Sequence, residues 1–283
     1  MIHSIHIIDT GLFKLDGGAM FGVVPKSMWN KLNPSDDNNM CTWALRCVLL
    51  KCSDRNILID CGMGTKQAEK FRSHFYPHGE GELYNSLAKY NVTPEDITDV
   101  ILTHLHFDHC GGAVQYNNKG ELAPSFPNAK YWSNKTHWNW ALKPNERERN
   151  SFLHENFVPL EQQGLIHFIE ESESAIELFE GIKVHYCSGH TKNLMTIEFD
   201  FMGQNYFYPT DLIPSSHHIG VPYIMAYDIQ PLLTLKEKEF HLNRCVEKNS
   251  ILIFEHDPLV EACTVVRNDK GRIVKERSVS IEN

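Results

Sequence analysis

The HLHFDH stretch concentrates side chains that bind metal ions. It follows the apolar run VIL-Thr103 and holds four donors, His104, His106, Asp108 and His109. Imidazole nitrogens and carboxylate oxygens are typical ligands of Zn²⁺, Mn²⁺ and Fe²⁺. In extended backbone, side chains two residues apart point the same way, so His104 and His106 form one half-site. A turn at Phe107 then directs Asp108 and His109 to an adjacent half-site, and this spacing predicts metal binding.

Three further donors come directly after apolar runs later in the chain. They are His190 in SGHT, Asp211 in PTDLIP and His256 in FEHD. Loops that follow buried strands often carry functional side chains. Together with HLHFDH, these residues supply enough nitrogen and oxygen donors for two metal ions.

Hydrophobic periodicity indicates a chain rich in strands with helices between them. Strands are predicted over residues 3–8, 19–24, 43–50, 56–60, 99–103, 130–132, 182–187, 194–199, 204–208 and 251–254. Helices are predicted over residues 81–90, 136–142, 147–155 and 235–247. No internal repeat or Pro/Gly/Ser-rich linker interrupts the pattern, so we expect an α/β (α+β) fold with a single domain over residues 1–283.

The charge balance and the cysteines restrict partners and location. The chain has 27 Lys and Arg against 36 Asp and Glu, a formal net charge of −9, which disfavours nucleic acid. No signal peptide or apolar run of membrane-spanning length is apparent, so neither membrane nor export is predicted. None of the eight cysteines forms a C-x-x-C pair. We therefore predict buried free thiols and a cytoplasmic protein.

Motifs for covalent catalysis and nucleotide binding are missing. There is no G-x-S-x-G elbow, no phosphate-binding G-x-x-x-x-G-K-[ST] loop and no H-E-x-x-H helix. The GMG after the strand ILID lacks the third glycine of a dinucleotide motif, since Gln67 stands there, and is interpreted as a turn.

HLHFDH, followed by SGH, a later Asp and a last His, resembles the binuclear hydrolases of the metallo-β-lactamase superfamily. LIDCGMG is similar to the early strand–Asp–Gly element of that superfamily. The resemblance implies a four-layer αββα sandwich, the metallo-β-lactamase fold. The segments DGGAMFGVVPK, FPNAKYW, DLIP and AYD resemble a bacterial branch of probable quorum-quenching lactonases. Methyl parathion hydrolases look like more distant relatives.

The resemblance assigns a role to each donor. It implies a first metal at His104, His106 and His190, a second at Asp108, His109 and His256, and Asp211 as the bridge. Two divalent ions are expected, Zn²⁺ first, with Mn²⁺ or Fe²⁺ open. Asp60 either orients a ligand or caps a turn.

The chain departs from the superfamily pattern around two of these ligands. Ser188 stands where the common form has Pro before Gly-His-Thr, and Lys192 and Asn193 replace the following Pro-Gly, which leaves the course of that loop open. One lactonase branch has a substrate-contacting tyrosine where this chain has Pro214, so Tyr223 is an alternative candidate.

The implied activity is hydrolysis by a hydroxide held between the two metals. Asp211 would neutralise charge between the cations, and Asp108 would pass a proton to the leaving oxygen. The substrate we expect is a small ester or lactone, with an N-acyl homoserine lactone first. An organophosphate triesterase or arylesterase is the nearest alternative. A di-iron redox protein is another, although such relatives place a glutamate where this chain has His106.

Specificity and assembly have weaker signals. Five apolar residues either line the pocket or pack in a core or interface: Met20, Phe21, Met28, Trp29 and Phe107. His217 and His218 follow Asp211 closely and are interpreted as surface histidines rather than pocket residues. The polar segment 26–40 would suit a lid or the arm of a homodimer.

Overall fold

The computed structural model describes residues 1–281, which form fifteen strands, eight α-helices and five short 3-10 helices. The strands are β1 (Ile2–Asp16), β2 (Met40–Cys52), β3 (Asn56–Ile59), β4 (Asp99–Ile101), β5 (Val114–Tyr116), β6 (Leu122–Pro124), β7 (Lys130–Asn134), β8 (Ile166–Ile169), β9 (Ile176–Phe179), β10 (Ile182–Cys187), β11 (Leu194–Phe201), β12 (Gln204–Tyr208), β13 (Ile251–Ile253), β14 (Ala262–Arg267) and β15 (Ile273–Val279). The helices are α1 (Gly17–Phe21), α2 (Lys26–Trp29), α3 (Glu69–Arg72), α4 (Leu83–Ala88), α5 (Phe107–Cys110), α6 (Lys135–Leu142), α7 (Val158–Gln162) and α8 (Pro231–Lys248). Short 3-10 helices cover Pro94–Asp96, Gly111–Ala113, His154–Asn156, Thr210–Leu212 and Ser216–His218.

The chain divides into two compact units. Unit 1 contains Met1–Gly11 and Leu45–Glu171, and unit 2 contains Leu12–Ala44 and Ser172–Ile281. Two of the boundaries fall inside β1 and β2, and the third falls between Glu171 and Ser172, after β8. The prediction of one domain over residues 1–283 stays a prediction.

Unit 1 is built on the sheet β1-β2-β3-β4-β7-β8. β4 lies in its middle, paired in parallel with β3 and β7. A strand buried on both faces requires a continuous apolar sequence. Val100, Ile101 and Leu102 meet this requirement, each with no exposed surface.

Unit 2 is built on the sheet β15-β14-β13-β12-β11-β10-β9. β11 is antiparallel to both β10 and β12, so β10 and β12 run in the same direction. β13 is parallel to β12. The three strands that precede His190, Asp211 and His256 therefore end at the same edge of the sheet.

The sequence located nine of the fifteen strands and three of the eight α-helices of the described residues, and it misassigned two segments. Residues 19–24 were predicted as a strand, yet α1 occupies their start because the Asp16 carboxylate accepts a hydrogen bond from the N–H of Ala19 and caps a helix. Residues 147–155 were predicted as a helix, but they begin with a turn in which the Asn145 side chain accepts from the N–H groups of Arg147 and Glu148.

Three global expectations can be compared with the described residues. The mixed α/β architecture is confirmed. All eight cysteines are free, and only Cys52 is partly exposed. Within residues 1–281, no helix combines the length and apolarity that crossing a bilayer requires.

Candidate metal centre

Unit 1 presents the first ligand segment directly after β4. His104 and His109 have no exposed surface, and His106 and Asp108 are each 7% exposed. The imidazole rings of His104 and His109 are 3.9 Å apart between centroids, and those of His104 and His106 are 4.6 Å apart. The four donors are therefore all buried and adjacent, which is compatible with the two neighbouring half-sites that the spacing predicts.

Close backbone packing shapes this cluster. The N–H of Cys61 donates to the carbonyl of His109 at 2.8 Å, and that of Gly112 donates to Gly62 at 2.9 Å. A Cβ at Gly111 would lie 2.0 Å from the carbonyl oxygen of Met63. The glycines after the ligands are required by this approach of two backbones, since no larger residue fits.

The buried Asp60 carboxylate contacts the residues that follow β4. Its Oδ1 accepts from the N–H of Thr103 at 2.8 Å and its Oδ2 from the Thr103 hydroxyl at 2.6 Å. Oδ2 also lies 3.3 Å from Nδ1 of His109. These contacts favour the first of the two roles that the sequence left open, in which Asp60 orients a predicted ligand.

Two supporting residues of unit 1 were missed by the sequence analysis. Nε2 of His137 accepts from the N–H of Leu105 at 2.9 Å, between two ligand histidines. Oε1 of the buried Glu148 lies 3.7 Å from Nε2 of His106, while Oε2 accepts from the Trp140 indole at 2.8 Å. Both residues belong to the segment after β7. No local sequence pattern indicates them, because folding alone brings them to their partners, and Leu105 is over thirty residues from His137.

Unit 2 brings its three predicted ligands together around Asp211. Oδ2 of Asp211 is 3.1 Å from Nε2 of His190, and Oδ1 is 3.1 Å from Nε2 of His256. The three side chains are at most 6% exposed. Each carboxylate oxygen therefore faces a different histidine nitrogen.

The backbone before Asp211 is strained. Thr210 has φ of +51°, a left-handed conformation that a β-branched residue rarely adopts. Its hydroxyl is buried, and it has no hydrogen-bond partner among residues 1–281. Strain of this kind is typical of functional sites, where the surrounding structure holds the backbone in place.

His190 and His256, whose Nε2 atoms face Asp211, are each held by a contact at Nδ1. Nδ1 of His190 lies 2.9 Å from Oδ1 of the buried Asp228, and Nδ1 of His256 lies 2.8 Å from the carbonyl oxygen of Ala44. Burial lowers the pKa of His190, but Asp211 and Asp228 outweigh it and raise that pKa to about 10. The surroundings of His190 therefore favour positive charge.

The donor sets of both units fit divalent metal ions. Metal-binding histidines are usually fixed at one ring nitrogen by a carboxylate or a carbonyl, so that the other nitrogen faces the metal. His109, His190 and His256 have such a partner in Asp60, Asp228 and the Ala44 carbonyl. A mixture of imidazole and carboxylate ligands suits Zn²⁺, Mn²⁺ or Fe²⁺.

The candidate wall residues pack mainly inside their own units. The Phe21 ring stacks on Trp29 at 5.5 Å and on His218 at 4.9 Å. His218 is fully buried, with Nε2 2.9 Å from the Met20 carbonyl oxygen, so its interpretation as a surface histidine was wrong. Met28 is 52% exposed.

Two other candidates also have aromatic neighbours within their units. Phe107 packs against Phe75 at 4.5 Å in unit 1, and Tyr223 meets the edge of Phe21 at 6.4 Å in unit 2. Packing against other aromatic residues therefore explains the position of Phe107 without a contact to substrate.

Comparison with known proteins identifies the family. Residues 46–218 match the model of the metallo-beta-lactamase superfamily, which covers more than half of the chain. The chain belongs to this superfamily, as the motifs indicated.

Individual relatives are distant in sequence. The N-acyl homoserine lactonase AiiB of Agrobacterium fabrum is 25% identical over 131 residues, which are 43% of this chain and 46% of that enzyme. This chain thus spans about half the length of that curated relative. A probable metal-dependent hydrolase from Staphylococcus aureus is similar in structure, with a TM-score of 0.86, 28% identity and coverage of 99% of this chain and 100% of the other.

A third similarity concerns the fold alone. AidC, a dizinc quorum-quenching lactonase solved with a product, has a TM-score of 0.78 at 19% identity, over 98% of this chain and 95% of AidC. The predicted metallo-β-lactamase fold is confirmed by these similarities.

Proposed function

We propose that this protein is a metal-dependent hydrolase of esters or lactones with a binuclear centre. The proposed ligands are His104, His106 and His190 for one ion, Asp108, His109 and His256 for the other, and Asp211 between them. Zn²⁺ is the ion we propose first, since imidazole and carboxylate ligands suit it and AidC is a dizinc enzyme.

The contacts of Asp211 are the observation that carries this proposal. Its two oxygens lie at equal distances, 3.1 Å, from the Nε2 atoms of His190 and His256. A carboxylate that bridges two cations can direct one oxygen toward each ion, next to a further ligand of that ion. The arrangement supports a bridging role, because the two oxygens of one buried carboxylate each face the imidazole nitrogen of a different proposed ligand.

The proposed chemistry divides between the ions and the side chains. Two bound divalent ions would supply a hydroxide at neutral pH and polarise the bond that is attacked. Asp211 would offset part of their charge, and Asp108 would take the proton of the attacking hydroxide and pass it to the leaving oxygen. Neither role requires a covalent intermediate, which agrees with the missing nucleophile motifs.

The substrate that we propose is an N-acyl homoserine lactone. AiiB is named as a lactonase for this class, and AidC was solved with N-hexanoyl-L-homoserine as product. The net charge of −9 also favours a small neutral substrate over a polyanion.

Substrate preference can be measured on the purified chain after loading with Zn²⁺. We expect acid release from N-hexanoyl homoserine lactone, followed by pH-stat, to exceed hydrolysis of an aryl ester and of a paraoxon-type phosphotriester. Faster turnover of the phosphotriester would overturn the lactone proposal in favour of the alternative activity. Visible absorption from bound iron, without hydrolysis of any substrate, would instead indicate a redox protein.

The bridging role has its own test. Asp211→Asn keeps the shape of the side chain but removes its charge, and we expect it to lose at least one Zn²⁺ per chain and most of the activity. Asp269→Asn, at an exposed turn, is the matched control and should change neither. Full metal content and full activity in Asp211→Asn would refute the assignment.

Two finer expectations remain part of this proposal. We propose a cytoplasmic location, in agreement with the eight free cysteines. A homodimer that uses residues 26–40 is also proposed, and the mass of the protein in solution would test it.

A further inference from the structure

The turn that carries His190 lacks the prolines expected in its superfamily, so another device must hold it. Ser188 precedes Gly189 and His190, and Asn193 stands where a glycine was expected. Asn193 adopts the left-handed conformation with φ of +53°, which asparagine tolerates better than most residues. Its N–H donates to the Ser188 hydroxyl at 3.1 Å, which closes the loop from within.

A carboxylate on α8 binds this turn from behind. Oε1 of Glu237 accepts from the N–H of Ser188 at 2.7 Å, and Oε2 accepts from the N–H of Gly189 at 2.9 Å. Hydrogen bonds from backbone amides to a carboxylate are stronger than those between neutral groups. Both N–H groups directly before the ligand histidine are therefore fixed by one side chain.

The residues that lead into α8 fix the remaining polar groups of the turn. The side-chain amide of Gln230 donates to the carbonyl of Ser188 at 3.0 Å. The backbone N–H of Gln230 donates to the carbonyl of Gly189 at 2.9 Å. The N–H of Ile229 donates to the carbonyl of His190 at 3.2 Å. The backbone from 188 to 190 is thus held along its whole length.

Steric contact also seats the turn on the first residues of α8. A Cβ at Gly189 would lie 2.3 Å from the hydroxyl of Thr234 and 2.6 Å from its backbone nitrogen. Only glycine permits this approach. Since Asp228, just before α8, contacts Nδ1 of His190, ring and backbone are both oriented from this part of the chain.

We propose that Glu237 is a positioning residue that, through Ser188 and Gly189, fixes the direction in which Nε2 of His190 points toward its metal ion. It replaces the rigidity that flanking prolines would give the turn. This inference rests on the proposed metal centre and names a residue outside the ligand set.

The test measures metal affinity rather than turnover. Glu237→Gln has the same shape but leaves only one acceptor for two N–H donors, and Glu237→Ala leaves none. We expect competition with a chelator to show one Zn²⁺ bound about tenfold more weakly in Glu237→Gln and more weakly still in Glu237→Ala, a size typical for residues behind metal ligands. The second Zn²⁺ should keep its affinity.

A spectrum and a matched variant separate positioning from general stability. Replacement of Zn²⁺ by Co²⁺ should give an altered visible spectrum in the Glu237 variants, because the geometry at His190 changes. Glu239→Gln, an exposed position on the same helix, should match the wild type in every measurement. Wild-type affinity for both ions in both Glu237 variants would overturn the inference, as would equal weakening of both ions with a lower melting temperature.

The substrate proposal and this inference fail in different ways. If the wild type binds two Zn²⁺ and the Glu237 variants weaken one, but no lactone is hydrolysed, only the substrate is wrong. If the wild type binds no Zn²⁺, the proposed metal centre and the role of Glu237 fall together.

Discussion

At the scale of single residues, three of the five proposed ligand histidines share one arrangement. His109, His190 and His256 each have a ring nitrogen fixed by a buried oxygen acceptor, from Asp60, Asp228 and the Ala44 carbonyl. Such partners set the tautomer and the orientation of the ring before any metal arrives. The site is therefore organised by a second set of residues as much as by the ligands.

Sequence could find the first set more easily than the second. His190, Asp211 and His256 each follow an apolar run, a signal that is local and readable. Asp228 is 38 residues from His190 and lies in an irregular segment, so only folding brings them together. Residues that act by orienting another side chain follow no periodic sequence pattern. For this reason Glu148 and Asp228 could not be predicted from the sequence.

Glu148 offers a test of this second set in unit 1. Its Oε1 lies 3.7 Å from Nε2 of His106, so the interaction depends mainly on charge. We expect Glu148→Gln, which removes the charge and keeps the size, to weaken Zn²⁺ binding several-fold, less than the range of about 10–100-fold seen for closer partners. Chelator competition is the measurement, with the exposed Glu146→Gln as control. Equal affinities in the two variants would assign Glu148 to packing alone.

At the scale of elements, α8 shows what a pattern can and cannot predict. A helix was predicted over residues 235–247, and the structure extends it to Pro231–Lys248. The extension contains the first turn of the helix, which packs on Gly189 next to His190. Hydrophobic periodicity therefore missed the turn of α8 that lies against the proposed site. Proline is common at the first position of a helix, but the hydrophobic periodicity used for the prediction does not detect this signal.

The opposite end of α8 is tied to β11 through Glu198. This buried carboxylate, 4% exposed, contacts Lys248, lies 2.9 Å from the Arg244 guanidinium and lies 3.0 Å from Nε2 of His185. Burial raises the pKa of Glu198, but these partners outweigh it and hold that pKa well below its ordinary value of 4.5. The ion pairs thus connect the helix to the sheet that carries three proposed ligands.

The loss of this connection should destabilise the fold. We expect Glu198→Gln to lower the free energy of unfolding by about 1–2 kcal/mol, because Arg244 and Lys248 would lose a buried partner while solvent, which reaches about a third of each cationic side chain, screens part of the loss. In the wild type, the unfolded chain binds a proton at Glu198 at a higher pH than the folded chain does, so this stability is lost as the pH falls below 4.5. Urea unfolding at pH 7 and pH 4 would measure both effects.

A control on the same strand completes this test. Asp200 is an exposed carboxylate of β11 whose one described partner is the Asn205 side chain, at 2.8 Å. Asp200→Asn should change the free energy of unfolding by less than about 1 kcal/mol, as is usual at the surface. If Glu198→Gln behaves like Asp200→Asn, the ion pairs do not hold α8.

At the scale of the whole molecule, family membership and strand-end reasoning complement each other. The matched region, residues 46–218, includes six of the seven proposed ligands and stops before His256. That last ligand came from its position after the apolar run ILIF. The division into two compact units was not predicted, because two of its boundaries fall inside β1 and β2 rather than in a linker, and the third, between Glu171 and Ser172, lies in a short segment between β8 and β9.

Because the proposed ligands come from distant parts of the chain, metal binding should stabilise the entire fold. A ligand that binds only the folded state adds about 4 kcal/mol when present at a thousand times its dissociation constant. For a chain of this size, about 4 kcal/mol corresponds to roughly 10 °C in melting temperature. We therefore expect EDTA to lower the melting temperature by about that amount, with recovery when Zn²⁺ is restored. EDTA already saturated with Zn²⁺ is the control and should leave the melting temperature unchanged. Equal melting temperatures with and without metal would mean that the seven side chains form a stable cluster of their own, and the proposed centre would lose its physical basis.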